Sequence, residues 1–192
     1  MSASGTRLAT DISLRDARRD ELDRLSRLLE ETYREFQAHF TDDLWPAYVG
    51  EIVDVRRRLG DSELIVAVLA GRLVGTVGFY PEAWRSALER WPVGWASIRT
   101  LAVLADARGR GVGAALAREC VRRARERDAV AVGLHTNPFM AAANRLYGRL
   151  GFCRAPEFDI EIGEMFTGRR LRPGVSWQAQ AFWLDLRRTD DE

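Results

Sequence analysis

The spacing of apolar residues divides the N-terminal part of the chain into one strand and two helices. The segment DISLRDA alternates apolar and polar positions and predicts a first β-strand. Residues 20–40 carry apolar side chains at steps of three and four, which is typical of an amphipathic helix, with Asp20 as its N-cap. Residues 41–60 predict a second, weaker helix, because a proline and a glycine interrupt the pattern.

The rest of the chain alternates between extended and helical patterns. Two runs rich in Val, Ile and Leu flank Gly71-Arg72 and predict a β-hairpin, and PEAWRSALERWPVG then predicts a short helix or a long loop. Further strands are predicted at WASIRTLAVLA, AVAVGLH, EFDIEI and QAQAFWLDL, and further helices at 112–127 and at MAAANRLYGRL, which Gly151 closes. The order β-α-α-β-β-β-α-β-α-β-β predicts an α/β or α+β sandwich of sheet and helices.

Length and composition are those of one globular domain. The chain has 192 residues, 46% hydrophobic and 30% charged, and we assign residues 10–188 to a single domain. Residues 1–9 predict a disordered tail, and residues 189–192 form a C-terminal tail. A net charge of +1 argues against nucleic-acid and membrane partners. Because the chain has neither a long apolar segment nor an apolar N-terminal core, we expect a cytoplasmic protein.

The usage of lysine and cysteine narrows the possible chemistry. All 29 basic residues are Arg, which excludes a Schiff-base lysine and the lysine of a GxxxxGK[ST] phosphate loop. Cys120 and Cys153 are too few for a disulfide framework, and we expect both to be core or partly buried thiols in a reducing compartment. We predict no metal site.

The run ARGRGVGAAL, residues 107–116, places three glycines and two arginines between an apolar strand and an amphipathic helix. Free N–H groups at a helix start, the helix dipole and guanidinium groups together favour a bound phosphate. Gly109-x-Gly111-x-x-Ala114 also satisfies a dinucleotide fingerprint, but the next strand ends in GLHT, without the acid that would bind a ribose. A tight turn that binds nothing is the alternative for the loop considered alone.

Two motifs together resemble those of the GCN5-related N-acetyltransferase (GNAT) superfamily. Arg108-x-x-Gly111-x-Gly113 is similar to its R/Q-x-x-G-x-G/A loop, which binds the pyrophosphate of acyl-CoA. LHTNPFMAAANRLYGRLGF, residues 134–152, resembles the second motif, a strand and then a helix reading A-x-x-LY-x-x-x-GF. The resemblance implies a mixed, mostly antiparallel sheet of about seven strands with about four flanking helices, in which the fourth and fifth strands splay apart.

The resemblance also implies how acetyl-CoA binds. The loop would cradle the pyrophosphate through its backbone N–H groups. The loop residues are Arg108, Gly109, Arg110, Gly111, Val112, Gly113 and Ala114. Leu101, Ala102 and Val103 would pair through their backbone with the pantetheine amides, and an N–H near Leu101 or Ala102 would polarise the thioester carbonyl. The residues that either contact the CoA 3′-phosphate or form a solvated basic face are Arg118, Arg122 and Arg123.

The second motif supplies the candidate catalytic residue. Tyr147 matches the motif's tyrosine, and its phenol would donate a proton to the departing thiolate of CoA. The family often places an asparagine three residues before the motif's alanine. Here either Asn137 or Asn144 is the candidate contact to the pantetheine arm, and Tyr147 lies beside that arm as well. The base that deprotonates the amine is Glu82, His135 or water.

The resemblance implies an acetyl-CoA-dependent N-acetyltransferase whose acceptor is a small-molecule amine or a peptide amine. The first two helices, the PEAWRSALERWPVG segment and the loop between the last two strands would shape the acceptor side, and they carry aromatic and acidic residues, which suit an amine with an apolar body. These residues are Tyr33, Phe36, Trp45, Tyr48, Trp84, Trp91, Glu31, Glu35, Asp42, Asp43 and Glu82. Two other functions compete: a non-catalytic acyl-CoA-sensing domain, and a protein that uses the loop for ATP or NAD. A homodimer is compatible with the resemblance.

Overall fold

The computed structural model describes residues 12–42, 44–86, 89–163 and 178–187. The tails predicted at 1–9 and 189–192 lie outside these residues, as does Asp43. The helices are Leu22–Tyr33 (α1), Leu44–Val53 (α2), Val112–Arg125 (α3) and Ala141–Arg149 (α4). The strands are Ile12–Asp16 (β1), Glu63–Leu69 (β2), Arg72–Tyr80 (β3), Trp95–Val103 (β4), Ala131–Thr136 (β5), Cys153–Arg154 (β6), Ile160–Glu161 (β7) and Gln178–Asp185 (β8).

The described strands form a mixed sheet in the order β1-β2-β3-β4-β5-β8-β6, with β7 added beside β8. Every pair is antiparallel except β4–β5, which is parallel. This confirms the predicted sheet and its helices. The strand predicted at EFDIEI is shorter than expected, because Pro156 begins a 3₁₀ turn and has no N–H for a strand ladder. The short strand β6, which the apolar pattern does not predict, adds to the expected count.

Two apolar cores lie on opposite faces of the sheet. The predicted stripe of α3 is buried against β3 and β4, while α1 and α2 cover the other face. The buried stripe of α3 consists of Val112, Leu116, Cys120 and Ala124. Burying one Val or Leu side chain contributes about 1.5–3 kcal/mol, so each stripe fixes its helix to the sheet.

The first helix begins and ends differently from the prediction. Asp20 is not its N-cap, because a 3₁₀ turn precedes α1 and Glu21 holds the helix start. The Glu21 carboxylate accepts the backbone N–H of Arg18 at 2.9 Å and both terminal nitrogens of Arg15 at 2.8 and 2.7 Å. At the other end α1 stops at Tyr33 and continues as a 3₁₀ turn, Arg34–His39, instead of running to residue 40.

The strands β4 and β5 separate part of the way along their length. They pair from Trp95 to Ile98 on β4, and no pair joins the rest of β4 to β5 among the described residues. The register between β4 and β3 shifts at the same place, and Thr100 has a φ of +51°. A non-glycine residue in the left-handed region marks a β-bulge here, which bends the strand away from its neighbour. The predicted splay is therefore confirmed.

Below the point of separation, the sheet is packed against tryptophans. The indole of Trp91 stacks on Trp95 at a centroid distance of 5.5 Å, and Trp95 stacks on Trp183 at 5.1 Å. Gly133 on β5 makes room for this stack, since a Cβ there would lie 2.7 Å from two atoms of the Trp91 ring. The segment before β4, predicted as a short helix or a loop, is held on the sheet by this contact.

We predict that Gly133→Ala destabilises the fold by about 1–3 kcal/mol, the usual cost of overpacking a filled core. Gly148→Ala is the matched control, because nothing lies within 4 Å of the added methyl group on α4 and alanine favours a helix. Chemical denaturation measures both free energies of unfolding. Equal stability of Gly133→Ala and the wild type would contradict the tight packing of Trp91 on β5.

Candidate active site

The glycine-rich loop forms an anion site at the start of α3. Gly109 and Gly111 both adopt positive φ, +75° and +85°, and Gly111 is the N-cap of α3. The first helical bond is from the N–H of Ala115 to the carbonyl of Gly111, at 2.9 Å. The N–H groups of residues 112–114 therefore have no partner within the helix. Successive N–H groups in such a conformation converge on one point, and the helix dipole adds positive potential there.

Arg108 fastens this loop to its surroundings. Its Nε donates to the carbonyl of Val103 at 3.1 Å, at the end of β4. Its terminal nitrogens donate to both carboxylate oxygens of Glu35, at 2.9 and 2.8 Å. Both partners of this ion pair are about 40% exposed, so screening by water keeps its contribution to stability small. An incoming anion would compete with Glu35 for the guanidinium.

A cleft of about 600 Å³ extends from the loop along β4, between α4 and the end of α1. Eight of the predicted cofactor residues line it: Leu101, Val103, Arg108, Gly109, Gly111, Val112, Gly113 and Ala114. The other predicted residues, Ala102, Arg110, Asn137, Asn144 and Tyr147, do not. The wall also contains residues that are not among the predicted cofactor contacts, including Thr32, Glu35, Phe139, Met140 and Arg149.

The end of β4 presents an open backbone edge to the cleft. The N–H of Leu104 donates to Val74 at 2.9 Å, and Ala102 lies opposite Thr76 two residues earlier. Because hydrogen-bonded residues alternate in an antiparallel pair, the N–H of Ala102 faces β3. The N–H groups of Leu101 and Val103 consequently face the other way, where β5 has separated.

Two polar side chains near the end of β5 carry unused hydrogen-bonding atoms. The side-chain N–H of Asn144 donates to the backbone carbonyl of Asn137 at 3.0 Å, which turns the amide toward the β5–α4 connection. Among the described residues, the Asn144 Oδ1 and the Thr136 Oγ1 are buried without a hydrogen-bond partner. Asn137 itself is buried. Unpaired buried polar atoms are costly, so these two oxygens would accept hydrogen bonds from a polar ligand that reached the β5–α4 connection, although neither residue lines the cleft.

Tyr147 lies in the core below the cleft. The residue is 5% exposed and its ring lies 5.7 Å from that of Phe152. Burial raises the pKa of Tyr147 well above its ordinary value, so the phenol keeps its proton throughout the neutral range. Its position on α4 follows the splayed strand, but the side chain does not form part of the cleft wall.

The two side chains proposed as general bases lie elsewhere. Glu82 is exposed and pairs with Arg85 at 3.2 Å. The Nε2 of His135 is 2.8 Å from the carbonyl of Phe158, and its ring packs beside Trp91 at a centroid distance of 4.8 Å. Neither residue lines the cleft.

Glu89 is the polar residue that sequence reasoning missed. Its carboxylate accepts hydrogen bonds from the Trp91 Nε1 and the Ser97 Oγ, both at 2.8 Å, and lies 3.4 Å from the Nδ1 of His135. Burial acts to raise the pKa of Glu89, but the contact with His135 and the charge of Arg99 outweigh it and hold the pKa below its ordinary value. The segment around Glu89 has no apolar period, so nothing in the sequence indicates that this acid is buried.

Two of the arginines considered for the CoA 3′-phosphate form ion pairs within the protein. Arg122 pairs with Glu119 at 2.7 Å, and Arg123 pairs with Asp16 at 2.6 Å and Glu63 at 2.7 Å, which ties α3 to β1 and β2. These contacts favour a paired surface over a 3′-phosphate site for both arginines, while Arg118 is exposed.

The two cysteines differ in exposure. Cys120 is buried and burial raises the pKa of its thiol, as expected for a core residue. Cys153 is exposed, which corrects the expectation of a core or partly buried thiol, because the short β6 leaves its side chain on the surface.

The aromatic residues expected on the acceptor side separate into two groups. Tyr33 and Phe36 line the cleft, and Tyr48 packs beside Tyr33 at 6.3 Å. Trp45 belongs to the same cluster. Trp84 is exposed beneath the guanidinium of Arg85, and Trp91 belongs to the tryptophan stack on β5.

Comparison with known proteins agrees with this geometry. The model of the acetyltransferase (GNAT) family matches residues 22–152. Similar structures include the PaiA N-acetyltransferase of Thermoplasma acidophilum in complex with coenzyme A, at 11% identity and a TM-score of 0.66, with 91% of this chain and 98% of that chain covered. YncA, a putative acetyltransferase from Salmonella typhimurium with acetyl-CoA, is 18% identical at a TM-score of 0.61, with 94% and 96% covered.

The ribosomal-protein-alanine N-acetyltransferase of Brucella melitensis is 21% identical to the chain at a TM-score of 0.62, with 91% of this chain and 99% of that chain covered. At these identities the structures establish a common fold. No curated protein sequence matches the chain. Within the described residues, no helix has the length and apolar character to cross a membrane, and no cluster of three His, Cys, Asp or Glu side chains could hold a metal.

We predict that Glu89→Ala destabilises the protein by about 3–5 kcal/mol, because it leaves the neighbouring charge and hydrogen-bond donors buried without their carboxylate. Glu82→Ala removes an exposed ion pair in the same segment and should change stability by no more than about 0.5 kcal/mol. Thermal and chemical unfolding of the two variants provide the comparison. Equally small losses of stability in the two variants would show that the hydrogen bonds of Glu89 do not stabilise the fold.

Proposed function

Because the chain belongs to the GNAT acetyltransferase family, we propose that it is an acetyl-CoA-dependent N-acetyltransferase that transfers an acetyl group to a primary amine by direct attack. One observation carries the proposal: a single cleft joins an array of free N–H groups at a helix start to the open backbone edge of a splayed strand. The N–H groups at the helix start would bind a diphosphate, and the open strand edge would form hydrogen bonds with the amides of an extended chain.

The residues of the cleft fit acetyl-CoA at two points, and Asn144, which lies outside the cleft wall, offers a third contact. Gly109, Gly111 and the first turn of α3 would hold the pyrophosphate, with Arg108 exchanging Glu35 for a phosphate oxygen. The backbone groups of Leu101 and Val103 would pair with pantetheine. The unpaired Oδ1 of Asn144 would accept one of its amide protons.

The acetyl thioester of the cosubstrate is the electrophile that this site would use. The N–H of Leu101, next to the bulge at Thr100, would polarise the carbonyl. The amine nitrogen forms a bond to the carbonyl carbon, the carbon–sulfur bond breaks, and Tyr147 gives its proton to the sulfur. The amine loses its own proton to water, because Glu82 and His135 lie away from the cleft, and the tyrosinate left at position 147 takes a proton back from water, which restores the phenol.

A non-catalytic acyl-CoA sensor is the second candidate, and the position of Tyr147 favours it. A tyrosine that is nearly fully buried and absent from the cleft wall has an ordinary role in the core. The sensor would bind the same cosubstrate without releasing a thiol. Acetyl-CoA turnover in the presence of amines separates the two functions.

We predict that acetyl-CoA and CoA stabilise the protein against thermal unfolding, whereas NAD and ATP do not. A ligand at 100 times its Kd raises the free energy of unfolding by about 2.7 kcal/mol. The loop lacks both the lysine and the ribose-binding acid that the nucleotides would need. Stabilisation by NAD or ATP alone would overturn the assignment of the cleft to acyl-CoA.

We predict that Tyr147→Phe lowers kcat by about 100-fold to 10,000-fold, the range expected for loss of a general acid, and leaves the Kd of acetyl-CoA unchanged. The raised pKa of Tyr147 also means that its ionisation causes no fall in the wild-type rate up to about pH 10. Thiol release across a pH series measures both effects. An unchanged kcat at saturating acetyl-CoA would remove the general-acid role.

A further inference from the structure

A second polar cluster lies on the face of β4 that α1 and α2 cover. Ile98 belongs to the core under α3, so alternation along the strand places Arg99 on the opposite face. Arg58, which follows α2, reaches this face and donates to the Oγ1 of Thr100 at 2.6 Å. The guanidinium of Arg99 lies over the ring of Tyr80 at 5.0 Å. These residues, Arg58, Arg99 and Tyr80, are called the arginine cluster below.

Arg58 carries a buried charge without a carboxylate partner. The residue is 5% exposed, and its guanidinium donates to the Thr100 hydroxyl and to the carbonyls of Ile52 and Asp54. Among the described residues no carboxylate lies within ion-pairing distance of it, and the nearby Glu51 pairs with Arg57 at 3.1 Å. Buried charges are normally paired, because removing an ion from water costs several kcal/mol.

Arg99 does not receive full compensation either. Its Nε lies 3.6 Å from Glu89, beyond hydrogen-bond length, and that carboxylate already accepts hydrogen bonds from Trp91 and Ser97. The hydroxyl of Tyr80 is buried and has no partner of normal hydrogen-bond geometry among the described residues, although Ser62 is near enough to affect its pKa. Of the two guanidinium groups only Arg99 has a carboxylate nearby, and the Tyr80 hydroxyl beside them is buried without a partner of normal hydrogen-bond geometry among the described residues.

The arginine cluster adjoins the place where the acyl group would lie. Thr100, which Arg58 contacts, is the bulge residue immediately before Leu101. The donor cleft runs along β4 between α4 and the end of α1 and includes Leu101, so the contact between Arg58 and Thr100 lies one residue from the place where the thioester carbonyl would lie.

We propose that the arginine cluster binds a carboxylate of the acceptor, so that the preferred substrate is a free amino acid or a similar small amino carboxylate. The inference rests on the proposed acetyltransferase function and names its acceptor class. Arg99 and the Tyr80 hydroxyl would bind the carboxylate, and Arg58 would add charge while keeping its contact with Thr100. In the free protein the buried arginines lack a full complement of negative charge. A substrate carboxylate would supply that charge and offset the free-energy cost of removing the guanidinium groups from water.

The test compares acids with their amides. Thiol release from acetyl-CoA is measured with glycine, alanine, glutamate, methionine and phenylalanine, each beside its carboxamide. Because a site built for a charged group rejects the analogue that lacks it, kcat/KM for the best acid should exceed that for its amide by about 100-fold or more. Amides that react as fast as the acids would overturn the inference and leave the acetyltransferase function intact.

Variants connect the preference to the cluster. Arg99→Gln should lower kcat/KM for the acid by about 100-fold and change kcat/KM for the amide by less than about threefold. Arg99→Lys should have an intermediate effect on the acid. Tyr80→Phe should lower kcat/KM for the acid by about tenfold. Arg58 is left unchanged because it also caps α2. The Kd of acetyl-CoA controls for folding and should not change. A preference for acids that survives Arg99→Gln would contradict the assignment.

Equilibrium binding separates this inference from the catalytic proposal. Calorimetric titration of the CoA-saturated protein with the same acids and amides needs no turnover. The protein could bind the acids, bind them more weakly after Arg99→Gln, and still release no thiol. That result would support the carboxylate site and contradict the acetyltransferase function. Absence of binding and of transfer for every acid would overturn the carboxylate site.

Discussion

The parting of β4 from β5 is the constraint on which the rest of the site depends. Two parallel strands in the middle of a sheet would normally satisfy each other's backbone groups, and here they do so only up to Ile98 and Leu134. The bulge at Thr100, held in a left-handed conformation, turns the remaining residues of β4 aside. Without that strain the backbone of Leu101 and Val103 would be used inside the sheet, and no cleft would connect it to the glycine-rich loop.

The two faces of β4 beside this bulge have chemically different surroundings. Under α3 and α4 the surroundings of β4 are apolar, and polarity comes from backbone N–H groups at the start of α3. On the side of α1 and α2, polarity comes from side chains: Arg58 and Arg99, with Glu89 below them. The tryptophan stack and the hydrogen bond between Trp91 and Glu89 hold the segment before β4 against the sheet.

The sequence predicts the features that depend on local pattern. Apolar periodicity locates the long helices and strands, and the spacing from Arg108 to Gly113 locates the anion site, because both depend on residues close together in the chain. Prediction from the sequence fails where a contact joins residues that are distant in the chain, or where a helix or strand is very short. Glu21 displaces Asp20 at the start of α1 through its contacts with Arg15 and Arg18. The buried partners of Glu89 and the isolation of Arg58 have no counterpart in periodicity or composition.

The central claim is that the open edge of β4 receives the donor, and amide hydrogen exchange measures it most directly. The amide of Ala102 faces β3 and should exchange slowly with or without ligand, whereas those of Leu101 and Val103 face the gap. Addition of acetyl-CoA should slow exchange at Leu101 and Val103 and leave Ala102 unchanged. Unaltered exchange at Leu101 and Val103 in a protein saturated with acetyl-CoA would contradict the account.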